Sequence, residues 1–306
     1  MVSIYYLPMK TLILKLIGLY FNLLVVIAPR TAGRKAFYLF CTPQVAPLKD
    51  HQRQFLDTAE QSSFKFKNNT IRVYRWGTGP TRILFLHGWQ SHTFRWKNYI
   101  DAFPKDEYTL YAFDAPAHGQ SEGKYLNLPV YSQAIEKFLD SVQPFHTIVG
   151  HSLGSFAMMY TLYRLKNHLA PQQLIMTAPP GEVSEFVQYY QSVLGLSHRV
   201  VNAIRQSFIN EINHFPEYFS AKKFVENITV PGLIIHDEQD AETPYHHAVG
   251  IHYSWKNSML INTSGLGHNL RSSSVVQHVV DFVQLTNSEL VEDDNLQIDE
   301  LSSKTF

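Results

Sequence analysis

The chain has 306 residues, of which 26 are Lys or Arg and 26 are Asp or Glu, so its formal charge is zero. That balance excludes nucleic-acid binding by bulk charge, and 45% apolar residues supply a full core without disulfide or metal staples. Cys41 is the only cysteine, which excludes an internal disulfide and a cysteine-based zinc site and fits a reducing, cytoplasmic setting.

Charge is unevenly spread. Residues 1–54 carry seven Lys or Arg against one Asp, and residues 287–306 carry six acids against Lys304. The acidic tail lacks turn signals and reads as a solvated, poorly ordered end. The basic N-terminal segment, residues 1–54, contains TLILKLIGLYFNLLVVIA over residues 11–28, interrupted only by Lys15 and Asn22. A secretory leader would need a shorter apolar core and a better cleavage site than A-P-R-T-A. A membrane span is at its short limit here and would bury Lys15. Lys15, Gly18 and Asn22 fall on one helical stripe, which suits a helix lying at a membrane surface, or clamped on the protein body, with that stripe outward. Membrane-surface contact through residues 11–28 is therefore expected, with Lys10, Arg30, Arg34 and Lys35 available to anionic headgroups.

From Phe64 onward short β-branched or aromatic runs alternate with helical stretches. Residues 64–66 and 71–76 predict an opening hairpin. Strands are expected at 81–86, 108–113, 145–149, 173–176, 232–235 and 258–261, with helices at 129–142, 155–167, 244–255 and 274–282. The alternation predicts an α/β fold, a mostly parallel sheet with helices on both faces. One gap is too long for a single crossover helix. Residues 181–225 are rich in helix formers and aromatics and read as a helical cap insertion, leaving 55–180 and 226–286 as the core.

The chemistry lies at the ends of these strands. Gly150-His151-Ser152-Leu153-Gly154 joins a strand directly to a helix. Gly-x-Ser-x-Gly alone is a weak signal, but in this context it is a nucleophile elbow, a strained turn that projects the Ser152 hydroxyl above the sheet. A serine hydroxyl needs a base, and the base needs a carboxylate to orient it. Both lie downstream, each after a strand: Asp240 in H-D-E-Q-D-A-E-T-P and His268 in G-L-G-H. Asp237, Glu238 and Glu242 are neighbouring acids. Asp240 is preferred because D-x-x-T-P puts it at the end of the loop, before a Pro-started helix. A lone histidine usually packs or solvates, whereas His268 has flanking glycines and a place after the last strand. The oxyanion donors expected are the amides of Leu153, which follows the nucleophile, and Trp89, in His87-Gly88-Trp89 after the strand at 81–86.

From Phe64 to about Phe282 the chain resembles the serine α/β-hydrolase superfamily: H-G-W, D-A-P-A-H-G-Q-S, G-H-S-L-G, H-D-E-Q-D and G-L-G-H fall in that family's order. The pair D-A-P-A-H-G and G-L-G-H resembles a group of little-characterised bacterial α/β-hydrolases. The resemblance implies that Asp114 and His118 support the loop near the site and are not reactants. Ala117 stands where many relatives have glycine, a difference expected to alter a turn and not a catalytic group. The expected activity is a Ser152-His268-Asp240 hydrolase working through an acyl-enzyme on a hydrophobic small-molecule acyl substrate, an ester above all, without metal or organic cofactor. An acyl transferase or peptidase with the same triad, or a non-catalytic binding protein on this fold, are the alternatives.

Overall fold

The computed structural model describes residues 6–44, 46–142 and 144–285; the acidic tail lies outside them. The helices are α1 (Tyr6–Ile27), α2 (Pro29–Phe40), α3 (Asp50–Leu56), α4 (Lys97–Ala102), α5 (Leu128–Ser141), α6 (Leu153–Arg164), α7 (Val183–Leu194), α8 (His198–Ile212), α9 (Ala221–Val225), α10 (His246–Ser254) and α11 (Ser273–Gln284). The strands are β1 (Glu60–Phe66), β2 (Asn69–Trp76), β3 (Thr81–Leu86), β4 (Tyr108–Phe113), β5 (Thr147–His151), β6 (Gln173–Thr177), β7 (Gly232–Asp237) and β8 (Ser258–Thr263).

The chain divides into two compact units, Gln44–Gly181 with Ala221–Phe306, and Met1–Pro43 with Glu182–Ser220. The first contains one eight-stranded sheet in the order β1-β2-β4-β3-β5-β6-β7-β8. The β1–β2 hairpin and the β2–β4 pairing are antiparallel, and from β4 to β8 every neighbour is parallel. Strands β5, β6 and β7 are buried throughout, and β3 from Ile83 onward, as expected of a parallel sheet covered on both faces. The sequence places β3 and β4 at their observed limits. It ends β5, β6, β7 and β8 one or two residues early, because it follows apolar runs. The ladders continue through polar residues: His151, Thr177 and Asp237 all pair with the neighbouring strand. Those polar carboxyl ends are where ligands meet an open α/β sheet.

The second unit joins two pieces that are far apart in sequence. Helices α1 and α2 pack with α7 and α8, so the N-terminal segment and the insertion are not separate bodies. The limits differ from those expected: the segment ends at Pro43, and the insertion is Glu182–Ser220. Residues 221–225 form α9 in the sheet unit, where Phe224 packs against Phe156, Tyr160 and Tyr163. In the helical unit Phe208 lies edge-on to Phe37 at 5.0 Å and Tyr190 meets Phe40 at 5.4 Å. These aromatics are packing groups.

The orientation of α1 reverses the expectation. Of the stripe of Lys15, Gly18 and Asn22, Gly18 and Asn22 face inward, onto the carboxyl end of α7, and Lys15 stays exposed at the edge of that contact. A Cβ at Gly18 would lie 1.8 Å from the Leu194 carbonyl oxygen, so only glycine permits the approach. Asn22 donates to the Gly195 carbonyl at 2.9 Å and accepts the Ser197 amide at 2.7 Å. A helix end leaves backbone groups without partners, and a polar side chain satisfies them better than an apolar one. Among the described residues, no helix is long and apolar enough to cross a membrane.

Candidate active site

Ser152 sits between β5 and α6 with φ 51 and ψ −120, a strained conformation for a residue bearing a Cβ. Its amide donates to the Thr177 carbonyl at 2.9 Å and its carbonyl accepts Phe156, so strand and helix pin the turn from both sides. The crossing is too close for side chains. A Cβ at Gly154 would meet the Leu86 carbonyl oxygen at 2.1 Å, and one at Gly150 would meet the Ser155 backbone at 2.6 Å.

Three candidate residues meet here. The Ser152 hydroxyl donates to His268 Nε2 at 3.0 Å, and His268 Nδ1–H donates to Asp240 Oδ2 at 2.8 Å. Asp240 is buried and fully engaged. Its Oδ1 accepts the Glu242 and Thr243 amides at 2.8 and 2.9 Å, and its Oδ2 also accepts the Thr243 hydroxyl at 2.8 Å. His236 Nε2 lies 3.3 Å from the same oxygen. Burial pushes this carboxyl's pKa up, but hydrogen bonds from His236, His268 and Thr243 outweigh burial and hold it far below the ordinary carboxylate value.

Two of the neighbouring acids, Asp237 and Glu238, are engaged elsewhere. Asp237 accepts Leu266 N–H at 2.9 Å, the Thr263 hydroxyl at 2.8 Å and Gln239 N–H at 3.0 Å, fixing the loop that ends in His268. Burial raises its pKa, and these bonds more than reverse that. Glu238 accepts from Asn262 at 2.7 Å. Glu242 is exposed, 3.8 Å from His268 Nε2.

The turn at residues 87–89 passes directly beside the serine: a Cβ at Gly88 would lie 3.0 Å from Ser152 Cβ. Leu153 opens α6, in the turn whose amides have no intrahelical acceptor. The Trp89 ring stands edge-on to His118 at 5.4 Å. Buried Asp114 ties the surrounding loops together, accepting Thr93 N–H and Gln120 N–H, each at 2.8 Å, and the Tyr74 hydroxyl at 3.1 Å. His118 accepts Gln90 N–H at 3.1 Å. Neither touches Ser152 or His268 by hydrogen bond. Ala117 has φ 64, the left-handed region that favours glycine.

Several residues of the site were not singled out from the sequence. His151 Nε2–H donates to the His268 carbonyl at 2.9 Å, and its ring lies edge-on to that of His268 at 5.0 Å. Arg95 donates to Asn269 O at 2.8 Å and Oδ1 at 3.3 Å, bracing the chain just past His268; burial lowers its pKa to about 10. Thr243 bonds both Asp240 and, at 3.1 Å, His268 Nδ1. His236 donates to the Thr243 carbonyl at 2.6 Å. Only the T-P of D-x-x-T-P hinted at one of these; His151 and Arg95 depend on contacts between distant segments, and His236 on the fold of its own loop.

A strained serine turn on a mostly parallel sheet, with histidine and acid after later strands, defines the α/β-hydrolase fold. Residues 83–248 match the model of the Alpha/beta hydrolase family, and the chain belongs to that family. Among solved structures it is similar to MGS-M2, an alpha/beta hydrolase enzyme from a Medee basin deep-sea metagenome library. The TM-score is 0.59 at 16% identity, over 74% of this chain and 98% of that one. It is also similar to the esterase EaEST from Exiguobacterium antarcticum, with TM-score 0.57 at 16% identity, over 74% and 100% of the two chains. A stretch of 88 residues, 28% of this chain, is 33% identical to the dihydrolipoyllysine-residue acetyltransferase component of the acetoin cleaving system of Cupriavidus necator; it spans 23% of that protein.

Proposed function

We propose that the protein is a serine hydrolase that cleaves carboxylic esters with an apolar acyl group through an acyl-enzyme. The observation that carries this reading is the unbroken chain Ser152 Oγ, His268, Asp240, at 3.0 and 2.8 Å. Ser152 Oγ attacks the ester carbonyl carbon while its proton passes to His268 Nε2. The tetrahedral oxyanion faces the amides of Trp89 and Leu153. Collapse expels the alcohol, which takes the proton from His268 and leaves the acyl group on Ser152. Water then gives a proton to His268, attacks the acyl carbon, and the carboxylic acid departs as Ser152 is reprotonated. Asp240, held ionised, keeps His268 in the tautomer with hydrogen on Nδ1 and stabilises the imidazolium. No step calls for a metal or organic cofactor.

Trp89, in the turn beside Ser152, and Leu153, which follows it, are apolar, which suits an apolar acyl chain. The esterase likeness supports an ester over an amide. Transfer to an acceptor other than water is the second reading, favoured by the likeness to an acetyltransferase component. The lone, buried Cys41 suits a reducing cytoplasmic compartment, and α1 suits attachment to a membrane surface within it.

Fluorophosphonate labelling of wild type beside Ser152→Ala, then p-nitrophenyl esters of increasing chain length with and without added alcohol or thiol, tests the reading. Labelling and turnover should both vanish in the variant. Equal turnover by Ser152→Ala, or no labelling of folded wild type, refutes it. Acyl product appearing mainly on the added acceptor selects the transferase.

A further inference from the structure

The inward turn of the polar stripe on α1 leaves the opposite face apolar and uncovered within its unit. Phe21 and Val25 are buried on the inner side, whereas Leu12, Leu16, Leu19, Leu23, Val26 and Ile27 are between 53% and 85% exposed, with Ile13 and Tyr20 beside them. Eight large apolar side chains in one contiguous stripe make a patch on the order of several hundred Å², a size that marks an interaction surface. Scattered surface leucines need no explanation, but a stripe at helical spacing does.

Charge selects the occupant. Residues 1–49 contain six Lys or Arg and no acid. Arg30, Arg34 and Lys35 are exposed on α2, which follows α1 directly. The Lys35 amine donates to the Tyr20 hydroxyl at 2.9 Å, at the edge of the apolar stripe, and Arg34 lies 3.7 Å from Glu211. A second copy docked on this face would bring two acid-free, basic segments together. The stripe is also wider than a coiled-coil seam, because Ile13, Tyr20 and Ile27 recur every seven residues beside it. An apolar helix face bordered by cations complements a bilayer surface of anionic headgroups and acyl chains.

We propose that the outer face of α1 docks in the plane of an anionic lipid surface, with the side chains of Leu12 to Ile27 entering the acyl boundary and Arg30 and Lys35 meeting the headgroups. The helix lies on the membrane and does not cross it. This rests on, and specifies, the attachment proposed above, and it is independent of the ester chemistry.

The test is sedimentation of the full chain with phosphatidylcholine vesicles containing about a third phosphatidylglycerol, and with phosphatidylcholine alone. Wild type should pellet with the anionic vesicles and much less with the neutral ones. Leu16→Gln with Leu23→Gln should weaken anionic binding at least about tenfold, and Arg30→Gln with Lys35→Gln roughly fivefold per cation removed. Unfolding temperature and turnover of a soluble ester, followed in parallel, separate loss of docking from loss of fold or of catalysis. If the leucine variant fails to fold, the cation variant decides. The proposal is overturned if wild type stays in the supernatant, pellets equally with both vesicles, or is matched by a folded leucine variant. It is equally overturned by a lipid-free dimer that the leucine substitutions dissolve, which would make the face a contact between copies.

Discussion

Lowering the pH from 7.5 to 5.5 should destabilise this protein through histidines that the fold keeps neutral. His87 is fully buried, donates from Nδ1 to the Gly88 carbonyl at 2.8 Å, and accepts Ala115 N–H on Nε2 at 2.9 Å. A second proton would have to displace that amide. His151 has its Nε2–H on the His268 carbonyl, and its Nδ1 is buried without a partner among the described residues. Burial, then nearby His118 for His87 and Arg95 for His151, pushes both pKa values well below the usual 6.5. The sign follows from proton counts: below 6.5 the unfolded chain binds protons that the folded chain refuses, so stability is full above that pH and falls beneath it. Each ring costs about 1.4 kcal/mol per pH unit below its unfolded pKa. The pair therefore removes about 2 kcal/mol between pH 6.5 and 5.5, a large part of an ordinary domain's stability of roughly 5–15 kcal/mol. His118, lowered by burial, adds to the slope. Urea unfolding across this range measures it, and His151→Gln should reduce the loss between pH 6.5 and 5.5 by about 1 kcal/mol. Equal stability at pH 7.5 and 5.5, or an unchanged slope in His151→Gln, would refute the reasoning.

Other outcomes follow from single contacts. Asp240→Asn should lower kcat by on the order of 10³–10⁴ with little change in KM, since an amide no longer holds His268 in its working tautomer; steady-state ester kinetics check this. Gly154→Ala forces a Cβ against the Leu86 and His87 carbonyls at 2.1 and 2.7 Å and should cost about 2–3 kcal/mol or more, read by denaturant unfolding. Ala117→Gly relieves a residue at φ 64 and should stabilise the chain by about 0.5–1 kcal/mol without altering turnover.

Much of this protein is legible from local pattern. Apolar runs located the parallel strands β3 to β8, because a buried parallel strand must be apolar on both faces, whereas only the last three residues of polar, exposed β1 were expected. Gly150 and Gly154 marked the crossing, since steric exclusion at so close an approach admits nothing larger. The order of serine, acid and histidine after successive strands put Ser152, Asp240 and His268 forward, and the structure brings the three into one hydrogen-bonded chain. The bracing groups were not visible in the same way. His151 and Arg95 act on partners more than a hundred residues away, a contact that no spacing rule encodes, and His236 and Thr243 take their roles from how their own loop folds around Asp240.

The direction in which α1 faces was decided the same way. Taken alone, the helix has a small polar stripe that belongs in water. In the folded unit that stripe meets the end of α7, whose Gly195 carbonyl and Ser197 amide need polar partners that only Asn22 supplies. The sequence by itself determined the parallel sheet, the elbow and the candidate serine, acid and histidine, because each is marked by its neighbours in the chain. The tertiary structure alone decided which polar groups brace them and which face of α1 is left uncovered, because unsatisfied backbone at one element's end is answered by side chains of another.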